Sequence, residues 1–250
     1  MESLYIVVPC YNEEECLPQT APVFRQELAD LNAAGLAGPD SRILLVDDGS
    51  ADRTWEIIRG LHQADPAFIG LRLSPNRGHQ NAVMAGLMEA RERADVTICI
   101  DADLQDNIHA MEEMMRKRRE GFHIVCGVRC SRQTDTFLKR FTAQSYYALM
   151  NLFGAKLIYN HADYRLMDRA ALDALALYHT DDPFLRGLTT RLGLDIATVE
   201  YERAPRMAGK SKYTLKKMVK LAVRGFTCGR CKRADTPRPP DPHIVERLFS

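Results

Sequence analysis

The chain has 250 residues, 46% of them hydrophobic and 27% charged, and a formal net charge of +1. These values fit one sizeable globular core. They exclude a whole-chain electrostatic pull toward nucleic acid, which is not expected as a partner. The seven Cys and a start that runs straight into a strand predict reduced thiols, no signal peptide and a cytoplasmic setting. No run reaches the roughly 18–20 apolar residues of a membrane span.

Leu4 to Pro9 reads as a buried first strand stopped by its proline. Asn12 is suited to cap a helix whose first turn holds Glu13, Glu14 and Glu15, broken again from Gly35 to Asp40. Arg42 to Val46 is a second strand ending in Asp47-Asp48-Gly49-Ser50, and Ser50 or Asp52 caps the helix after it. Phe68 to Leu73 is a third strand, Gly78 to Ala90 a helix, and Val96 to Ile100 a fourth strand. A helix around Met111 to Arg118 and a fifth strand, Ile124 to Val128, follow. Asp135 to Phe153, Ala170 to Leu177 and Pro183 to Leu192 read as helices, and Ala197 to Tyr201 as a late strand. The fold class is therefore α/β, a mostly parallel, Rossmann-like sheet flanked by helices.

The fourth strand ends in Asp101-Ala102-Asp103. Residues two apart on a strand share a face, so the two carboxylates converge if the extended form persists. Hard oxygen donors at a strand's carboxyl end suit Mg²⁺ or Mn²⁺ held jointly with substrate phosphates. Neither G-x-G-x-x-G nor G-x-x-x-x-G-K-[ST] is present, which argues against dinucleotide oxidoreductases and P-loop NTPases. Instead Tyr11 is suited to pack on a base, and Asp47 and Asp48 to accept from a base N–H or a ribose hydroxyl. Singly, these residues read better as a rim aromatic and a capping turn; jointly with Asp101 and Asp103 they favour a nucleotide-sugar site. Arg203, Arg206 and Lys212 form a basic loop suited to phosphate, with Arg129 and Arg132 as further candidates.

Taken in order, Val7-Val8-Pro9-Cys10-Tyr11-Asn12-Glu13-Glu14, Val46-Asp47-Asp48-Gly49-Ser50, Asn76-Arg77-Gly78-His79-Gln80 with Ala85-Gly86, Asp101-Ala102-Asp103-Leu104-Gln105, Gly127-Val128-Arg129, Asp163-Tyr164-Arg165-Leu166 and Arg203 through Lys212 resemble the inverting family 2 glycosyltransferases of the GT-A fold. More narrowly, they resemble the polyprenyl-phosphate group, which holds dolichyl-phosphate mannosyltransferase and bacterial undecaprenyl-phosphate glucosyltransferases. The resemblance implies a GT-A domain over residues 1–212. It implies that Pro9, Tyr11, Glu13, Asp47, Asp48, Asn76, Gly78, Asp101 and Ala102 bind nucleotide, and that Asp101 and Asp103, with Gln105, hold Mg²⁺ or Mn²⁺. Asp163 is the implied catalytic base or acceptor-site carboxylate, with Asp103 beside it, and Arg129, Arg203, Arg206 and Lys212 are implied at phosphates. His79 reads either as part of the donor loop or as an ordinary helix N-terminal residue. A lipid phosphate is mostly a dianion at neutral pH and is already nucleophilic, so no strong base is required of Asp163.

The implied reaction moves a sugar, UDP-glucose being the favoured donor, to a polyprenyl phosphate for cell-envelope or glycan synthesis. The alternatives are a GDP-mannose donor, a soluble enzyme with a saccharide acceptor, or an inactive sugar-nucleotide-binding module. Leu215, Met218, Val219, Ala222 and Phe226 form one stripe of a basic amphipathic helix over residues 213–227. It suits an anionic membrane surface, peripheral at the inner face, and a homo-oligomer is possible. Residues 228–250 form a Pro-rich tail expected to be disordered, in place of the family's usual C-terminal membrane spans.

Overall fold

A computed structural model describes residues 1–130, 158, 160–203, 233–239 and 241–249. In chain order the elements are β1 (Leu4–Cys10), α1 (Leu17–Ala33), β2 (Arg42–Asp47), α2 (Thr54–Ala64), β3 (Phe68–Leu73), α3 (His79–Arg91), β4 (Val96–Cys99), α4 (Ala110–Arg119) and β5 (Ile124–Arg129). Then come β6 (His161–Asp168), α5 (Arg169–Ala176), α6 (Leu185–Thr189), β7 (Ile196–Tyr201) and β8 (Ile244–Leu248). The strands form one sheet in the order β7-β5-β6-β4-β1-β2-β3-β8. It is mostly parallel, as the alternation of strands and helices predicts; β6 and β8 run antiparallel to their neighbours.

Alternate residues of each strand enter opposite cores. Leu4, Ile6 and Val8 of β1 pack with Phe24 and Leu28 of α1, Ile58 of α2 and Met111 and Met114 of α4. Tyr5 and Val7 face the other way, onto Val83 and Leu87 of α3, Leu172 of α5 and Leu188 of α6. β1 to β4 are buried on both faces, which is why they read as near-continuous apolar runs. α3 lies so close to the sheet that a Cβ on Gly86 would stand 2.6 Å from Val7 Cγ1.

Four expectations need correction. Pro9 does not stop β1, which pairs with β2 through Cys10. Val7 bonds toward β4 and Cys10 toward the β2 side, so the amide that Pro9 lacks would face β4, whose pairing ends at Cys99. Asn12 does not cap α1, which begins at Leu17 without a side-chain cap; its Oδ1 accepts from Ala51 N at 2.9 Å instead. An eight-residue strand, β6, separates β4 from β5 where no strand was expected. The tail is not wholly disordered, because β8 pairs with the edge of β3. There Trp55 Nε1 donates to Glu246 at 3.0 Å, and Ser74 N donates to His243 O at 3.0 Å. Pairing an open edge supplies backbone partners that the Pro-rich run before it cannot supply to itself. The expected helices at 135–153 and 213–227 lie outside the described residues. Among the described residues, no helix is long and apolar enough to cross a membrane.

Candidate active site

The carboxyl ends of β1, β2 and β4 and the amino end of β6 meet at one edge of the sheet, where open α/β sheets bind ligands. Because β6 runs antiparallel to β4 with Cys99 opposite Arg165, Asp163 arrives beside Asp101. His79, the first residue of α3, lies between them: its Nε2 is 3.7 Å from Asp101 Oδ1 and 3.6 Å from Asp163 Oδ2.

Asp163 is held from several elements. Arg165 donates to Oδ1 at 2.8 Å, and Arg186 of α6 donates to both oxygens at 3.1 Å. Gln80 donates to Oδ2 at 3.2 Å while its own oxygen accepts from Leu185 N. Burial alone would raise the Asp163 carboxyl, but Arg186, the His79 contact and Arg165 outweigh it and hold the group well below the ordinary carboxylate range. Arg165 is fully buried, and its remaining bond goes to Thr189.

Asp101 is shifted the opposite way. Burial raises its carboxyl; His79 opposes this, and the charges of Asp163, Asp106 and Asp103 add to the rise. Carboxylates that repel one another across a partly open mouth fit a divalent cation, which would reverse that balance. Among the described residues, no group of three or more His, Cys, Asp or Glu side chains is arranged to hold a metal alone. Asp103 is buried, with Oδ1 accepting from Gln105 N, and the Gln105 side chain accepts from Arg203. Asp103, Gln105 and Arg203 are thus brought together.

The second cluster builds the loop before α3. Asp48 accepts from Asn76 Nδ2 at 2.9 Å, Arg77 N at 2.7 Å and Gly78 N at 2.8 Å. Both of its oxygens are thus engaged by the loop that leads into α3. Gly49 has φ +68°, and a Cβ there would lie 2.8 Å from Asn76 N, so the two turns touch backbone to backbone. Asp47 is fully buried; Ser50 N donates to its Oδ1, and Arg72 lies 3.4 Å from its Oδ2. Glu13 N donates to Thr54 Oγ1, which ties the turn after Pro9 to α2. Tyr11 is 39% exposed at the rim, and the Ala102 carbonyl accepts from Cys16 Sγ.

Arg129, expected at a phosphate, instead makes a two-point ion pair with buried Asp106, at 3.0 and 3.1 Å. Arg132, Arg206 and Lys212 lie outside the described residues. Arg186 and Gln80 are the site residues that sequence reasoning missed. Gln80 stands in a motif quoted above without a role, and Arg186 sits in a short helix with no repeating pattern around it.

The model of the family described as "Glycosyl transferase family 2" matches residues 5–176. Over 224 residues the chain is 50% identical to the uncharacterized glycosyltransferase YkoT of Bacillus subtilis, which covers 90% of this chain and 66% of that protein. Over 223 residues it is 36% identical to the bactoprenol glucosyl transferase of Shigella phage SfV, covering 89% of this chain and 70% of that one. Its fold is similar to mannosyl-3-phosphoglycerate synthase from Rubrobacter xylanophilus, with a TM-score of 0.63 at 18% identity over 99% of this chain and 87% of the other. It is also similar to glucosyl-3-phosphoglycerate synthase from Mycobacterium tuberculosis in complex with Mn²⁺, UDP and glucosyl-3-phosphoglycerate, with a TM-score of 0.57 at 16% identity over 99% and 90% of the two chains.

Proposed function

The chain belongs to glycosyl transferase family 2, and from that premise we propose that it moves a sugar from a nucleoside diphosphate to a polyprenyl phosphate, with inversion. UDP-glucose is the donor we favour. The observation that carries the reading is the cluster in which Asp101 and Asp163 flank His79, with Arg165 and Arg186 behind them. Relatives named bactoprenol glucosyl transferase, matched over nine-tenths of this chain, support the polyprenyl acceptor.

In this reading Asp101 and Asp103, with Gln105 nearby, would hold Mg²⁺ or Mn²⁺, whose charge would offset that of the departing diphosphate. Tyr11 lines the nucleotide end, buried Asp47 fixes the turn at Ser50 from the interior, and Asp48 holds Asn76 to Gly78 in the shape of the donor loop. Arg203 carries positive charge to the phosphates, joined by Arg206 and Lys212. An acceptor phosphate oxygen attacks the anomeric carbon; the bond from that carbon to the diphosphate oxygen breaks, and its electron pair leaves with the nucleoside diphosphate. No proton has to be removed from a dianionic acceptor. Asp163, held ionised by two guanidiniums, is a poor proton acceptor, and we assign it to orienting the acceptor and sugar. Residues 213–227 supply the contact with an anionic membrane surface at the cytoplasmic face.

The test is transfer of labelled sugar into the lipid phase from UDP-glucose and, separately, GDP-mannose. It uses a short polyprenyl phosphate in detergent, with Mn²⁺, Mg²⁺ or EDTA. Metal-dependent lipid product, lost in Asp101→Asn/Asp103→Asn, is the expected result, and the better donor names the sugar. Product only on a water-soluble saccharide would replace the acceptor. Donor binding without any product would overturn the enzymatic reading.

A further inference from the structure

β6 presents three ionisable side chains on one face, His161, Asp163 and Arg165. Asp163 is accounted for by the cluster above, and so is Arg165 apart from its Nε. His161 is not. It is only 4% exposed, and neither ring nitrogen has a hydrogen-bond partner among the described residues. A buried polar group left unsatisfied is costly, and native structures rarely keep one without a reason. His161 stands two residues from Asp163 on the same face of β6, opposite Val128 of β5, and the charges around its ring are those of Asp163, Arg165 and Arg186.

We propose that His161 binds the transferred hexose, donating from one ring nitrogen and accepting at the other from sugar hydroxyls. The proposal rests on the nucleotide-sugar reading and deepens it. Burial, then Arg165 and Arg186, push the imidazole well below its ordinary range against the pull of Asp163, so the ring is neutral. A neutral imidazole offers one donor and one acceptor. A phosphate dianion has nothing to give the acceptor nitrogen, whereas a hydroxyl both gives and accepts. Charge recognition is left to Arg186 and Arg203, and the neutral ring fits the uncharged part of the donor.

The test is calorimetry on the full chain with Mn²⁺, comparing UDP-glucose with UDP and GDP-mannose with GDP. Wild type should prefer the sugar nucleotide over its bare diphosphate in one of the two pairs. His161→Phe fills the same space without polar atoms and should lose about tenfold of that preference. Bare diphosphate affinity should stay unchanged, and the melting temperature should be equal or higher, because an unsatisfied group has been removed. His161→Gln should recover part of the preference, and it carries the comparison if the phenylalanine variant does not fold. An intact preference in both variants would overturn the proposal and assign the imidazole to water or to the core. So would a loss confined to the KM of the lipid phosphate. A wild type that binds no nucleotide at all fails the nucleotide-sugar reading itself, a pattern distinct from equal preference in wild type and variants.

Discussion

Asp163 and Asp48 are buried aspartates at the same end of one sheet, and their carboxyls move in opposite directions. Burial raises both. Around Asp163 the opposing groups are two guanidiniums and an imidazole, which reverse the effect. Around Asp48 they are chiefly the Arg77 and Gly78 backbone amides, which soften the rise without reversing it. Full charges deliver a carboxylate ready to face a polar ligand; neutral amides turn a carboxylate into scaffolding. In the proposed reading the first arrangement serves the reaction, and the second fixes the shape of the loop that leads into His79.

The largest break in this comparison is Asp163→Asn. It strips the buried Arg165 of its charge partner, a loss worth about 3–5 kcal/mol for a buried pair. Transfer should fall about 10²–10³-fold, the scale for losing an electrostatic group in a site. Denaturant unfolding and the lipid-transfer assay read the two effects. Asp48→Asn should raise the donor KM with a smaller loss of stability, and equal losses from both variants would erase the distinction. Next in size is Gly49→Ala. Its left-handed backbone alone costs about 1–2 kcal/mol with a side chain, before the clash with Asn76 N. Unfolding midpoints of this variant beside Gly60→Ala, whose Cβ would meet nothing within 4 Å, isolate the effect.

A finer contrast is the pH slope. The depressed Asp163 carboxyl contributes stability that is present above the unfolded carboxylate pKa of about 3.9 and is lost as pH falls through its lower folded value. The raised Asp48 carboxyl contributes stability that is present below that unfolded pKa and is lost as pH rises through its folded value. From acid toward pH 7, the stability of Asp163→Asn relative to wild type should therefore worsen, while that of Asp48→Asn should improve. Slopes of the same sign would contradict the assignment. The smallest effect is expected from Glu246→Ala, which removes the Trp55 bond and the Arg59 ion pair from the outer strand, for about 1 kcal/mol. Its transfer rate should stay near wild type, since β8 touches the loop before Asn76 through the His243 carbonyl and not through this side chain.

The first five strands and the four helices among them were legible because each buries a continuous or periodic apolar run. β6 was not, although its Asp163-Tyr164-Arg165-Leu166 motif was. Its charged alternation mimics a half-exposed strand or a loop, while the structure buries both faces and satisfies most of the charges against one another. β8 was hidden by Pro237, Pro239, Pro240 and Pro242, which dominate local propensity just before Ile244. Asp47, Asp48, Asp101 and Asp103 could be read from strand ends, whereas Asp163 came only with the family motif. The cations that answer them could not, since Arg186 reaches Asp163 only through tertiary folding. Arg129 illustrates the reverse error: a basic residue near a strand end was assigned outward to phosphate, but a buried carboxylate, Asp106, claims it.

The antiparallel course of β6 has a consequence for how this chain tolerates change. Its odd-numbered positions hold the polar cluster and its even-numbered positions, Ala162, Tyr164 and Leu166, hold the opposite core. Function and folding are thus interleaved on a single short ribbon, told apart only by parity. One residue inserted inside the strand, between Arg165 and Leu166, would exchange the two sets on its outer side, driving three ionisable groups into oil and turning a tyrosine toward the site. Two residues would restore the parity. Length variation at that point should therefore come in even steps.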